Sequence, residues 1–355
     1  MTHTLRNIAT GEELDISGKM AREFFKAFSG KKIMCLPVSE EIKTNGETPK
    51  HLYEVTEFKR KKKVKGTCVI RMGGIGDLIC LSSSLREMTA RGDQVTLATL
   101  PQHIEFMKAM DIGKVIDIKD IGKYTFDDVI DLRFAVEPKE MGGKAEWSDY
   151  TLKDRSDYFD ELVNVYPAKK SFAIQNKEHT KISVSGRYVI INASIWAAVR
   201  AIPQKYIMPL AKKINKLGLN VVLVGVSQPW NQELLKIGNG NGIVNLIDKT
   251  SILDMIDLCD KSEMIITPDT GTVHIGAGLG KKTLALFGNI NPRTRTSYYT
   301  TVKALYPQGE LECIPCFDMH PCIGSLDYNP GKSSKCMQLF TPDRVVNAVK
   351  ELGGY

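Results

Sequence analysis

The chain has 355 residues, 43% of them hydrophobic and 25% charged, with a formal net charge of +7. This balance excludes disorder as the main state and leaves room for two domains of ordinary size. No stretch reaches the ~18–20 consecutive apolar residues that span a bilayer, and the start MTHTLRNIATGEELD lacks the apolar core of a secretion signal, so a cytoplasmic location is expected.

Residues 1–65 combine a helix-like SGKMAREFFKAF, a polar loop SEEIKTNGETPK and the basic run FKRKKKVK. That run gathers Lys59, Arg60, Lys61, Lys62, Lys63 and Lys65. It reads either as a solvated linker or as a seat for a polyanion, nucleic acid or an anionic glycolipid surface. From Gly66 the pattern changes: TCVIRM is strand-like, DLICLSSSLREMTARG helix-like and QVTLATL strand-like, with KVIDI and DDVIDL as further short strands. This is the rhythm of a parallel sheet covered by helices.

A polar middle follows, in which SDYFDELVNVY is the clearest helix, and then a second series begins. RYVIINAS is a strand, QKYIMPLAKKINKLG a helix closed by Gly218, and NVVLVG a buried strand. SILDMIDLCDKS (helix), EMIITPD (strand), TVHIGAGLG (helix) and KTLALFG (strand) complete it. Two α/β units in tandem place the default ligand site in the crevice between them, at the carboxyl ends of their strands.

The first loop of interest is RMGGIGD, between a strand and a helix. A strand–glycine loop–helix junction suits an anion, yet Gly73, Gly74 and Gly76 have neither the G-x-G-x-x-G nor the G-x-x-x-x-G-K-[ST] spacing. The missing dinucleotide fingerprint disfavours NAD-dependent redox chemistry. Asp77 would also put a negative charge among the donors. It reads either as a helix cap or as a general base waiting beside a loop that admits a second substrate. The second loop, PDTGTVH, supplies Asp269, Thr270, Gly271, Thr272 and His274; its threonines and backbone at a helix start make a diphosphate seat.

Together these loops resemble glycosyltransferase family 9, the heptosyltransferase family of lipopolysaccharide core assembly. RMGGIGD stands where that family has R-x-G-x-x-G-D. DTGTVHIGAGL stands for its D-[ST]-G-x-x-H-[LIV]-A-A-A-L, with Gly276 and Gly278 where alanines are usual. Between them Arg200 takes the place of the family's lysine and Ile202-Pro203 that of its W-P pair. The resemblance covers roughly residues 66–350. It implies an α/β, GT-B architecture of two Rossmann-like domains facing across a cleft, an acceptor domain over residues 66–180 and a nucleotide-sugar domain over 181–340. It also implies a terminal helix, 341–355, packing back toward the first domain.

By the same resemblance Asp77 is the base that deprotonates the acceptor hydroxyl, and Gly73, Gly74 and Gly76 form the acceptor loop. Arg200, Thr270, Gly271, Thr272 and His274 bind the donor diphosphate, with Asp269 orienting their loop. The implied reaction inverts the anomeric centre and requires no catalytic metal. No second carboxylate is evidently paired with Asp77, which disfavours glycoside hydrolysis. The implied partners are a nucleotide-diphosphate sugar and an anionic acceptor, a glycolipid core or, given the extra basic head, DNA with hydroxymethylated bases. A non-catalytic nucleotide or nucleic-acid binding module is the other class of reading.

Cys313, Cys316, Cys322 and Cys336 have the spacing C-x2-C-x5-C-x13-C inside the loop 313–336. A structural zinc site is expected there, with His320 in reserve, and two disulfides are the alternative.

Overall fold

The computed structural model describes residues 62–141, 153–175, 182–194, 198–316 and 334–355, and ahead of them the backbone of four strands. The chain divides into two compact units, Met1–Gly66 with Asp117–Asp128, and Thr67–Ile116 with Val129–Tyr355. In the first, β1 (His3–Asn7), β2 (Glu13–Ile16), β3 (Ile33–Leu36) and β4 (His51–Val55) form an antiparallel sheet in the order β2-β1-β4-β3. The sequence reading has no strand there, and the helix expected over SGKMAREFFKAF lies outside the described residues. The reason is that segments such as HTLRN and ELDI are four or five residues long and half polar, too short for a period to show. β5 (Lys62–Lys63) pairs in parallel with β9 (Tyr124–Thr125) in the same unit.

The second unit holds two α/β halves. Its first half contains β6 (Thr67–Ile70), α1 (Ile75–Ala90), β7 (Val95–Thr99), α2 (Ile104–Ala109), β8 (Lys114–Asp117), β10 (Asp128–Asp131), α3 (Glu137–Met141) and α4 (Arg155–Leu162). The sheet order is β10-β6-β7-β8. β6 runs parallel to β7, with Thr67 opposite Val95 and Ile70 opposite Ala98. α1 buries an unbroken run from Leu78 to Leu85 rather than one stripe, because α4 and a helix of the second half pack against it as well. The small Ser82–Ser84 segment lets them approach, and Ser84 Oγ donates to Asp160 at 2.6 Å.

The second half contains β11 (Tyr188–Ser194), α5 (Gln204–Asn215), β12 (Asn220–Gly225), β13 (Ile243–Asn245), α6 (Ile252–Lys261), β14 (Met264–Pro268), α7 (Gly271–Gly278), β15 (Thr283–Leu286), α8 (Arg293–Thr296), β16 (Val302–Leu305), α9 (Lys335–Gln338) and α10 (Pro342–Gly353). Its six strands are all parallel, in the order β13-β12-β11-β14-β15-β16. Numbered by appearance within this half, the order is 3-2-1-4-5-6, the doubly wound arrangement. Its strand order reverses between β11 and β14, so a crevice opens at their carboxyl ends. Gly218, expected to close α5, has φ of 78° and its N–H meets the Asn215 carbonyl at 2.9 Å. The terminal helix departs from expectation: α10 buries Val345, Val346 and Val349 in the second half's core, with Ile207, Leu210 and Ile214 of α5. Its apolar stripe fits the helix beside it rather than the first half.

One apolar core runs from Val69 and Leu97 of the first sheet through Leu78 and Leu81 of α1 and Ile275 of α7 to Ile190 and Ile265 of the second. α1 and α7 therefore stand side by side, and the loops at their N-termini open on the same space.

Candidate active site

The cleft between the halves measures about 1340 Å³, and both loops line it. On the first wall, Gly74 is the N-cap of α1 and Asp77 its third residue. The Gly74 N–H donates to Asp77 Oδ2 at 3.1 Å, so Asp77 caps its helix and faces the cleft at once, with 17% of its side chain exposed. The three glycines are not equivalent. A Cβ at Gly73 would lie 2.5 Å from Asp77 Oδ2, and one at Gly76 would lie 2.7 Å from His274 Cδ2, whereas Gly74 has nothing within 4 Å. All three line the cleft, but Gly73 and Gly76 leave no room for a side chain, whereas Gly74 does.

Asp77 sits in a lattice of ions. Arg155, from the first turn of α4, donates through Nη1 to Asp77 Oδ1 and through Nε, at 2.8 Å, and Nη2 to Glu140. Glu140 also accepts from Arg295 Nη1 at 2.9 Å and Nη2 at 3.3 Å. Arg71, stacked 5.4 Å from the Phe159 ring centroid, pairs with Glu137 at 2.5 Å and approaches Asp77 Oδ2 at 3.6 Å. Burial pushes the Asp77 carboxyl up, but Arg155 and Arg71 outweigh it and hold the group below the usual carboxylate range. Asp77 is thus ionised and oriented before any substrate arrives. Two further carboxylates stand beside it, contrary to the sequence expectation: Glu137 is paired with Arg71 and Glu140 with both Arg155 and Arg295.

The second wall is the start of α7. Thr270 is its N-cap and accepts from the Thr272 N–H at 3.3 Å. Asn192, at the end of β11, donates through Nδ2 to Thr272 Oγ1 at 2.9 Å and Thr270 Oγ1 at 3.3 Å, fixing both hydroxyls. Arg200 donates to the Asp269 carbonyl and to Oδ2, both at 3.1 Å. Asp269 is buried and so acts on the guanidinium. His274 is 4% exposed; its Nδ1 lies 2.6 Å from the Tyr299 hydroxyl and 3.6 Å from Cys80 Sγ. Burial lowers its pKa to about 4, so the ring is neutral at pH 7 and can offer a hydrogen bond but no charge. Where the walls meet, a Cβ on Gly271 would come within 3.3 Å of the Gly76 nitrogen.

The profile of glycosyltransferase family 9 (heptosyltransferase) matches residues 147–325, half of the chain. The chain belongs to that family. Lipooligosaccharide heptosyltransferase 2 of Campylobacter jejuni subsp. jejuni serotype O:6 is 31% identical over 110 residues, which span 31% of this chain and 32% of that relative's length. The Escherichia coli heptosyltransferase WaaC with ADP-2-deoxy-2-fluoro heptose superposes with a TM-score of 0.54 at 13% identity, over 81% of this chain and 99% of that one. The dodecameric iron-containing TibC of enterotoxigenic E. coli, in complex with ADP-D-beta-D-heptose, gives 0.57 at 13% identity, over 99% and 90%. At these identities the structures establish the fold, GT-B, in agreement with the two facing α/β halves.

For this family 9 chain the structure brings Gly73, Gly74, Gly76, Asp77, Arg200, Asp269, Thr270, Gly271, Thr272 and His274 onto one cleft. It adds Glu137, Glu140, Arg155, Asn192 and Arg295, which sequence reasoning missed. Glu137, Glu140 and Arg155 come from the polar middle, where no periodicity marks them, and Arg295 from a four-residue helix. Lys62, Lys63 and Lys65 are exposed residues of the other compact unit, and Lys63 pairs with Asp127 at 3.6 Å. Lys59, Arg60 and Lys61 lie outside the described residues, as do Cys322 and His320. Cys313 and Cys316 are half-buried and Cys336 is buried. The Cys316 N–H meets the Asn289 carbonyl at 3.0 Å, and a Cβ on Gly288 would lie 2.7 Å from Cys336 Sγ. Among the described residues no group of three or more His, Cys, Asp or Glu gathers as a metal site, and no helix is long and apolar enough to cross a membrane.

Proposed function

We propose that this chain is an inverting glycosyltransferase that moves a heptose-type sugar from an ADP-sugar to a hydroxyl of an anionic acceptor of the lipooligosaccharide-core kind. The observation that carries this reading is the juxtaposition across one cleft of an ionised carboxylate, Asp77, and a helix N-terminus dressed with threonine hydroxyls and a guanidinium. The names of relatives that bind ADP-heptose or its fluoro analogue support the choice of donor.

In this mechanism Asp77 takes the proton from the acceptor hydroxyl as that oxygen bonds to the anomeric carbon. The bond from that carbon to the diphosphate oxygen breaks, and its electron pair leaves with the nucleotide. Charge building on the diphosphate meets the α7 N–H groups, Thr270, Thr272 and Arg200, donors already in place before the reaction. The neutral His274, its Nδ1 held by the Tyr299 hydroxyl, lines the same seat. Because base and leaving-group seat lie on opposite walls, attack comes from the far face and inverts the centre.

The test is Asp77→Asn in the full-length chain with ADP-heptose. Turnover should vanish while donor affinity by calorimetry stays within about twofold, since a kcal/mol-scale loss would instead signal a broken cap. Retained turnover would refute the assignment. None of the relatives above is named for action on DNA, so that alternative rests on the basic run alone.

We also propose that Cys313, Cys316, Cys322 and Cys336 hold a structural metal. The C-x2-C spacing supports it, although among the described residues Cys313, Cys316 and Cys336 do not gather into one site. No step of the reaction passes through that metal. Elemental analysis for zinc and for iron, the metal in TibC's description, would decide.

A further inference from the structure

The arginine lattice around Asp77 has no assigned part in the reaction above, yet its geometry constrains that reaction closely. A carboxylate offers about four lone pairs. On Oδ2, one meets the Gly74 N–H at 3.1 Å, and Arg71 stands 3.6 Å away on the same oxygen. On Oδ1, one meets Arg155 Nη1. Each oxygen thus keeps a lone pair, and a hydroxyl that approaches Oδ1 delivers its proton beside the Arg155 guanidinium.

Arg155 itself is not free to drift. Two of its nitrogens grip Glu140, a residue 5% exposed. Glu140 is gripped in turn by both terminal nitrogens of Arg295, which reaches over from the nucleotide half. The chain Arg295–Glu140–Arg155–Asp77 thus runs from one half of the fold to the base on the other. A planar fork held bidentately at one end and touching Asp77 at the other is a geometry that lysine cannot reproduce.

We propose that Arg155 is the positioning residue of the base, pinning Oδ1 of Asp77 so that one lone pair faces the acceptor hydroxyl, with Glu140 and Arg295 holding Arg155 in place. The inference rests on the base reading of Asp77. It adds that the proton-accepting oxygen, and the pH range in which it works, are set by a residue outside both glycine loops. The groups that face Asp77 are Arg71 after β6, Cys80 on α1, Glu137 and Glu140 on α3, Asp154 and Arg155 at the start of α4, His274 on α7 and Arg295 on α8. Of these, Arg155 is the one in direct hydrogen-bond contact with Oδ1.

The test follows the Asp77 carboxyl by 13C NMR in the full chain labelled at aspartate Cγ, its resonance assigned by its loss in Asp77→Asn. In the wild type it should titrate below the ordinary aspartate range, held there by Arg155 and Arg71. In Arg155→Gln the midpoint should rise, because the guanidinium that favours the charged form is gone, and the acidic limb of ADP-heptose turnover should move up with it. Arg155→Lys, a milder change that serves where the glutamine variant does not fold, should shift the midpoint in the same direction by less. Coincident midpoints in the wild type and the folded Arg155 variants would overturn the proposal. If Asp77→Asn retains turnover, the base reading fails whatever the titration shows; if it is inactive while the midpoints coincide, only the role of Arg155 fails.

Discussion

Replacing Gly76 by alanine tests whether the glycine loop is shaped by packing between the halves or by a ligand. The added Cβ would stand 2.7 Å from His274 Cδ2 and 3.1 Å from Nε2, where ordinary contacts begin at 3.4 Å. The ring would have to retreat by about 0.7 Å. It cannot do so without straining its 2.6 Å bond to Tyr299 or the edge-on stack with that ring, centroid to centroid 5.5 Å. Overpacking of this kind costs about 1–3 kcal/mol, which at about 2 °C per kcal/mol for a chain of this size lowers the melting temperature by about 2–6 °C.

The control is Gly74→Ala, where nothing lies within 4 Å and φ is −67°. There the loss of a better N-cap, about 0.5–1 kcal/mol, is offset by the stiffer unfolded chain, about 0.4–1 kcal/mol. Differential scanning fluorimetry of both variants reads the difference directly. If Gly76→Ala melts with or above Gly74→Ala, the packing account is refuted. Donor affinity should also fall in Gly76→Ala, because Gly271 lies against the same loop.

Two further outcomes follow from the second wall. His274 is buried as the neutral ring, with its pKa lowered from 6.5 to about 4 by burial, so the unfolded state takes up a proton that the folded state refuses. Stability contributed by this site is complete above pH 6.5 and falls as pH drops, by about 2 kcal/mol at pH 5 and about 3 kcal/mol below pH 4. Urea unfolding of the wild type and His274→Gln at pH 7.5 and pH 5 would show a shallower loss in the variant, and equal slopes would contradict the assignment. Thr270→Ala removes the cap that accepts from the Thr272 N–H and one acceptor of Asn192. It should lower stability by about 1 kcal/mol and weaken ADP binding by roughly 3–10-fold in calorimetry; an unchanged Kd would remove Thr270 from the donor seat.

The repeated β–α alternation from Gly66 was legible in the residues because strands such as TCVI and NVVLVG are buried on both faces and read as apolar runs. The two loops were legible because glycine and donor-rich segments at strand-to-helix junctions are local features, and the cleft joins them as the family resemblance implies. Local pattern said less about the head, where strands of four or five residues leave no period, and about the direction in which α10 packs.

What the sequence determined by itself is therefore the β–α alternation from Gly66, the two loops within it and the family, since each is written in runs of neighbouring residues. The tertiary structure alone decided which far residues complete the site. Glu140 meets Arg295 across 155 positions and Arg155 meets Asp77 across 78. The reversals in strand order between β6 and β10 and between β11 and β14 bring distant carboxyl ends to one cleft. A charge in a polar, aperiodic segment carries no local mark of the partner that topology will bring to it.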